Sequence, residues 1–321
     1  MRRLVTRSVF AAMAFGASLA VTGAGSATEP GKNGRIAFAA TAGRFSQLFT
    51  VEPDGTGLKQ VTHFGDSNAL NVNWSPDGKR LVFERDFPAG HAGIYVMIAD
   101  GGGLRSLTRN TKKGHYEVIP AYSPDGKKIV FGRGVCSTQN CNGPRDHGGL
   151  WIEKVDGTAA RRVTPRLPTG PHGDHFYDHA QFSPDGKRIA FVKRVGDDRA
   201  AVFVTSAHGG KAKRLTPLSM GVDNRVDWSP DGKLILFSDN YQGVDVFTIR
   251  PNGTGLRRIY RATDGNYSAD SWSPDGKRIM LVRGARGTIS VCVMNADGSG
   301  LRQITHGLNI GNDGGSWGTQ P

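Results

Sequence analysis

Cysteine is scarce in this 321-residue chain, at three residues: Cys136, Cys141 and Cys292. A structural zinc knuckle needs two closely spaced ligand pairs, and no second Cys pair exists to complete one. Long apolar runs are missing too. Beyond the N-terminus no segment is apolar enough over a sufficient length to span a bilayer. Acidic residues are outnumbered, 28 against 41 Lys and Arg, for a formal net charge of +13. That excess comes with no nucleic-acid-binding motif, so a specific nucleic-acid partner is not expected. The bases recur with the repeats described below, as on a solvated face, and leave open a non-specific attraction to anionic polymers or cell surfaces.

The N-terminus has three parts. Arg2, Arg3 and Arg7 lead into an apolar stretch from Ser8 to Val21, followed by small residues through Ala27. This is the layout of a secretory signal peptide over residues 1–27, with cleavage expected after Ser26 or Ala27. No Cys lies near that point, which argues against a lipoprotein. The expectation is a secreted or periplasmic protein, monomeric, with residues 28–321 as one domain. In such an oxidising compartment Cys136 and Cys141 are expected to form a local disulfide. Cys292, inside the apolar run 289–294, is expected to be a buried thiol.

What is abundant is glycine, 45 residues, most of them in recurring turns. Trp228-Ser229-Pro230-Asp231-Gly232-Lys233 recurs at Trp74–Lys79 and Trp272–Lys277, and with Tyr122 or Phe182 in the first place at Tyr122–Lys127 and Phe182–Lys187. An internal repeat governs every other reading of a chain. Pro presets φ at the second turn position, Asp suits the third, and Gly takes the left-handed position. An apolar run follows each block, such as Leu81-Val82-Phe83 or Ile189-Ala190-Phe191. The block therefore predicts a strand, a tight turn and a second strand covered on both faces.

The Asp of the block falls at 77, 125, 185, 231 and 275. Gly34-Arg35-Ile36-Ala37-Phe38 reads as the second half of one more copy, and the segment around Trp317 as its missing first half. A third run, a second turn of the Asp54-Gly55 type and a fourth run ending near Thr62, Thr108, Thr164, Thr216 or Thr305 complete each repeat. Four strands in about 45 residues is the size of one β-propeller blade. The expected fold is all-β: six four-stranded blades, with the C-terminal strand pairing into the first and closing the ring. Closure removes an exposed sheet edge.

These blocks resemble the PD40 repeats, WD40-like in character, of TolB-like six-bladed β-propellers, over nearly the whole chain after the leader. The resemblance implies the fold far more strongly than any chemistry. TolB itself carries an N-terminal domain ahead of its propeller and docks a peptidoglycan-associated lipoprotein. Here the first strand is expected about seven residues after the cleavage point, so that domain is expected to be absent. The WD dipeptide signature is absent as well.

Strand alternation sends the short repeated turns to one face and the long, dissimilar connections to the other. The longest expected loops are 133–149 and 165–179. Of nine His, His63, His91, His115, His147, His172, His175, His179 and His306 are expected in loops of this irregular face, and His208 in a turn of the opposite one. Residues three to five before each block aromatic are expected at the mouth of the central channel: Glu117, Asp178, Asp223, Asn224, Asn312 and Asp313, with His179 beside them. Such a ring of carboxylates and amides would suit a cation or a basic peptide, or serve only to cap strand ends.

A second constellation, His172, Asp174, His175, Asp178 and His179, has donors that would suit a divalent metal such as Zn, Mn or Ca. Some propeller lyases acting on uronic-acid sugars resemble it in using channel-mouth His ligands. A polar turn-rich loop explains the same residues without a metal. Gly314-Gly315-Ser316-Trp317-Gly318 matches a nucleophile elbow in letters only, because that motif needs a strand, a turn and a helix. With no coherent nucleophile or acid–base set, the leading expectation is a non-enzymatic module without a cofactor, gripping a protein or peptide of the cell envelope. The alternative is a metal-dependent lyase or hydrolase acting on an extracellular carbohydrate.

Overall fold

The computed structural model describes residues 30–108, 114–136, 145–165, 175–195, 199–239, 245–285 and 288–321; within the strands, the side chains of 135, 136, 145–147, 175, 176, 178, 223, 224 and 311–313 fall outside the description. The expected leader, and Cys141, His172 and Asp174, lie outside the described residues, as does the side chain of Cys136, so the expected disulfide does too.

Apart from one 3-10 turn at Leu218–Met220, the described elements are strands. The first sheet holds β1 (Asn33–Ala42), β2 (Phe45–Val51) and β3 (Lys59–Gln60). An eight-stranded sheet follows: β4 (Asn68–Trp74), β5 (Arg80–Phe87), β6 (His91–Ile98), β7 (Arg105–Ser106), β8 (His115–Tyr122), β9 (Lys128–Cys136), β10 (Arg145–Lys154) and β11 (Arg161–Arg162). The third is β12 (His175–Phe182), β13 (Arg188–Val195), β14 (Ala200–Ser206) and β15 (Lys213–Arg214). The fourth is β16 (Val222–Trp228), β17 (Ile235–Asp239), β18 (Val246–Ile249) and β19 (Arg257–Tyr260). The fifth is β20 (Asn266–Trp272), β21 (Arg278–Ala285), β22 (Thr288–Asn295) and β23 (Arg302–Gln303). The last strand, β24 (Asn309–Thr319), returns to pair antiparallel with β1, matching Ile36 to Trp317.

Four sheets thus have the expected four strands, and one has eight. Main-chain strand pairing joins the two halves of the large sheet where β6 and β8 run parallel, at the bridge Ala92↔Tyr116. Separate four-stranded sheets were expected throughout; one extra bridge between neighbours merges two of them.

Local chemistry explains the repeated turns. In each block the Ser hydroxyl donates to the Asp carboxylate over 2.5–2.7 Å. That carboxylate accepts the main-chain N–H two residues on, as Lys127 N to Asp125 does at 3.0 Å. The Ser oxygen also accepts the N–H at the start of the next strand, as from Arg80 at 2.8 Å. The recurring Thr has an equally local role. Its buried hydroxyl accepts the N–H of Leu48, Ile94, Leu150, Val202 or Val291 on the third strand at 2.8–3.0 Å.

Packing then joins the units. Second and third strands oppose aromatics in register: Phe38 to Phe49, Phe83 to Tyr95, Phe131 to Trp151, Phe191 to Phe203 and Phe237 to Phe247. In the fifth sheet Cys292 opposes Leu281 at this position. It is a buried free thiol, its pKa pushed up by burial to about 11, as expected of a small core residue. At the rim, basic side chains reach from one outer hairpin to the next: Arg105 to Val155 O at 2.8 Å and Lys213 to Asn252 O at 2.9 Å. Arg302 reaches the main-chain oxygen of Pro53, linking the last unit to the first. Most outer strands are two residues long and rich in Lys or Arg, which blunts their free edges.

Two expectations about the irregular face change. The expected loop 133–149 is partly strand, because β9 runs to Cys136 and β10 begins at Arg145. The expected loop 165–179 ends early, because 175–178 pair with 192–195 and extend β12. His175 and His179 therefore stand on an inner strand, and His91 and His115 open β6 and β8.

A polar channel lined by six inner strands

The inner strands β4, β8, β12, β16, β20 and β24 converge on one cavity of about 40 Å³, lined by Asn71, His179, Arg225, Asp227, Asp270 and Ser316 among others. That volume holds a few waters. The strands are bent where they meet it. Register breaks at Leu70/Asn73, Val118/Ala121, Asp178/Gln181, Val222/Val226 and Ala269/Ser271. A β-bulge re-aims a side chain at such a point. Three positions before the block aromatic, Asn71, Ile119, His179 and Gly314 have φ of 51°, 56°, 35° and 61°. Positive φ is costly for a β-branched residue, and at Ile119 the N–H donates to Glu84 Oε2 at 3.2 Å.

Arg225 crosses the channel floor. Its Nε is 3.3 Å from Asp270 Oδ1, whose side chain has no exposed surface, and an Nη donates to Asn71 Oδ1 at 3.0 Å. Gly314 makes room for it, since a Cβ there would collide with the guanidinium. Asp270 also accepts the N–H of Gly315 at 3.0 Å, and Asn71 donates to Glu84 at 2.9 Å. Around this floor, the residue just before four of the six aromatics serves the next unit. Asn73 accepts the N–H of Tyr122, Asp227 that of Trp272, Ser271 that of Trp317 and Ser316 that of Trp74, over 2.8–3.4 Å. The polar residues here build the ring.

The expected site residues divide. His179 lines the channel with its ring nitrogens shielded from solvent. Glu117 is 2% exposed and is occupied by Arg133, whose Nε donates to it at 2.7 Å. Arg133 also approaches Glu153 at 3.4 Å and lies over the Trp151 ring. Burial pushes the Glu153 carboxyl up, Arg133 draws it back, and Glu117 pushes it further. The side chains of His175, Asp178, Asp223, Asn224, Asn312 and Asp313 lie outside the description, although their backbones place them on β12, β16 and β24. Among the described residues no three His, Cys, Asp or Glu side chains cluster as metal ligands would. Sequence reasoning missed Asn71, Arg225, Asp227 and Asp270. Aligning the repeats on their aromatics would have placed Arg225 with Asn71 and His179.

Antiparallel sheets set radially about a polar channel, with the last strand joined to the first sheet, define a β-propeller. Residues 175–318 match the family model of the TolB β-propeller domain, PD40. A TolB homolog from Chlorobium luteolum is 30% identical over 225 residues, covering 68% of this chain and 45% of that protein. Of solved structures, TolB from Acinetobacter baumannii superposes with a TM-score of 0.67 at 21% identity, over 89% of this chain and 67% of that one. An oligogalacturonate lyase from Vibrio parahaemolyticus gives 0.57 at 9% identity, over 88% and 77%. The chain belongs to the TolB-like PD40 propeller family. It spans half or less of the length of the curated relatives it matches.

Proposed function

We propose that this chain is a six-bladed propeller, the eight-stranded sheet counting as two blades, and that it binds a protein or peptide ligand through its irregular face. A secreted or periplasmic, monomeric protein is part of the same reading. The observation that carries it is the occupation of the channel floor: Asn73, Asp227, Asp270, Ser271 and Ser316 all hold main-chain N–H groups of neighbouring units. Side chains spent on the scaffold leave recognition to the dissimilar loops above them. With Asp227 and Asp270 against Arg225, the described lining of the floor carries more negative than positive groups, which favours a basic segment at the mouth.

Site-specific photo-crosslinking tests this. A photoreactive residue at Asn224 or Asp313 is expected to capture an envelope protein that the same residue at Lys187, on the opposite face, does not. Equal capture from both faces, or none from either, overturns the proposal.

A second reading, a metal-dependent lyase or hydrolase on an extracellular carbohydrate, is favoured by His179 in the channel wall with His175 on the same strand. Their neighbours in the sequence, His172, Asp174 and Asp178, would complete a ligand set for Zn, Mn or Ca. Stoichiometric metal in the purified protein, with a melting temperature lowered by chelator, would favour this reading. No metal uptake and no chelator effect would remove it.

A further inference from the structure

The face opposite the irregular loops carries two features that the ligand-binding reading does not use. The first is charge. Lys79, Lys127, Lys187, Lys233 and Lys277 stand exposed at the same position of five repeated turns. In four of those turns the next residue is again basic: Arg80, Lys128, Arg188 and Arg278. The exposed Asp of each turn is held by a Ser hydroxyl and a main-chain N–H, and two bases outnumber it, so each of these four turns presents an excess of one positive charge.

The second feature is apolar. Among the described residues the large hydrophobic side chains that stand exposed are Leu58, Ile98, Leu104 and Leu256, each 42–47% accessible. All four lie in the outer hairpins of this same face, just before β3, at the end of β6, and just before β7 and β19. Three of them lie on adjacent hairpins. Lys59, next to Leu58, reaches Asp100 O at 3.5 Å, and a Cβ at Gly103 would sit 3.3 Å from Ile98, beside Leu104. Leu58, Leu104 and Leu256 are each followed by a base: Lys59, Arg105 and Arg257.

Scattered single leucines need no explanation. Leu58, Ile98 and Leu104 on neighbouring outer hairpins, with Leu256 on the outer hairpin of the fourth sheet, each leucine beside a cation and the repeated lysines on the turns inside them, match a lipid interface. There apolar tips enter the headgroup boundary while bases meet anionic headgroups. We propose that the repeated-turn face docks on an anionic phospholipid surface, which leaves the irregular face turned away from the membrane. A polyanionic polysaccharide would use the lysines but have no use for the leucines.

Co-sedimentation of the purified protein with vesicles tests this. Binding is expected to vesicles of phosphatidylcholine with about a third phosphatidylglycerol, not to phosphatidylcholine alone, and is expected to weaken as salt rises. The triple substitution Lys127→Gln, Lys187→Gln, Lys277→Gln is expected to lower partitioning on the order of a hundred-fold. Leu58→Ser, Leu104→Ser, Leu256→Ser is expected to lower it by about ten-fold or more, with a melting transition close to the parent's. If the serine variant fails to fold, Leu104→Trp replaces it, and the added emission should be quenched by brominated lipid. No binding to the anionic vesicles, or binding that the leucine substitutions leave unchanged alongside equal retention on heparin, overturns the proposal.

Discussion

Arg225 and Asp270 come from neighbouring inner strands and meet at 3.3 Å in the channel floor, with Asp270 fully enclosed. A buried pair of this kind adds little over an apolar filling, but removing one partner leaves a charge uncompensated. Asp270→Ala is expected to cost about 3–5 kcal/mol in urea denaturation. The double substitution Arg225→Met, Asp270→Leu should recover a large part of that loss. Equal losses in both variants would show that the pair is not what the site depends on.

Asp227 accepts two main-chain donors, Trp228 N at 2.9 Å and Trp272 N at 2.8 Å, while Ser271 accepts Trp317 N at 3.2 Å. Each buried N–H left without an acceptor costs about 1–3 kcal/mol. Asp227→Ala should therefore destabilise more than Ser271→Ala, in the same denaturation experiment. The reverse order would mean that water replaces the lost carboxylate.

Acid sensitivity should come from the turns. At Asp125, Asp185, Asp231 and Asp275 partial burial pushes the carboxyl up, but the Ser hydroxyl and the Lys main-chain N–H outweigh it, and each pKa ends below the ordinary 3.8. Folding lowers these values, so the ionised carboxylates add stability above the unfolded pKa. That contribution is lost as pH falls through the folded values. The urea midpoint should hold steady from neutral pH down to about 5 and drop below about 4. Asp125→Asn with Asp185→Asn should be less stable than the parent at neutral pH, and the gap should close in strong acid.

Leu234 breaks a regularity. At the same place in other repeats Arg188 lies 4.9 Å from the centre of the Trp228 ring and Arg278 lies 5.0 Å from that of Trp317. Leu234 and Trp272 border an open surface groove of about 640 Å³. Leu234→Arg can enter that space and lie over Trp272, for an expected gain of about 0.5–1 kcal/mol. A lowered melting temperature would show that the packing of Leu234 matters more than the missing cation.

The chain's local chemistry was enough to determine the strand–turn–strand repeat, the Asp of its turns, the Thr that ends each repeat, the pairing of the last strand with the first sheet and the division into short repeated turns and long dissimilar connections. Each of these rests on residues close in sequence or on a period that recurs. Tertiary structure alone decided the site. Arg225 meets Asn71 from 154 positions away, and Asp270 holds Gly315 from 45 positions away, because a closed ring brings distant inner strands to one axis. The extension of β12 through His175 was hidden as well, since a polar run with Gly173 reads as a loop until Val195 supplies its partner. Glu117 shows the same limit: its alignment suggested the channel mouth, but only the strand register reveals Arg133 opposite it, donating at 2.7 Å. A repeat is visible along the chain, whereas contacts between its copies exist only once the ring has closed.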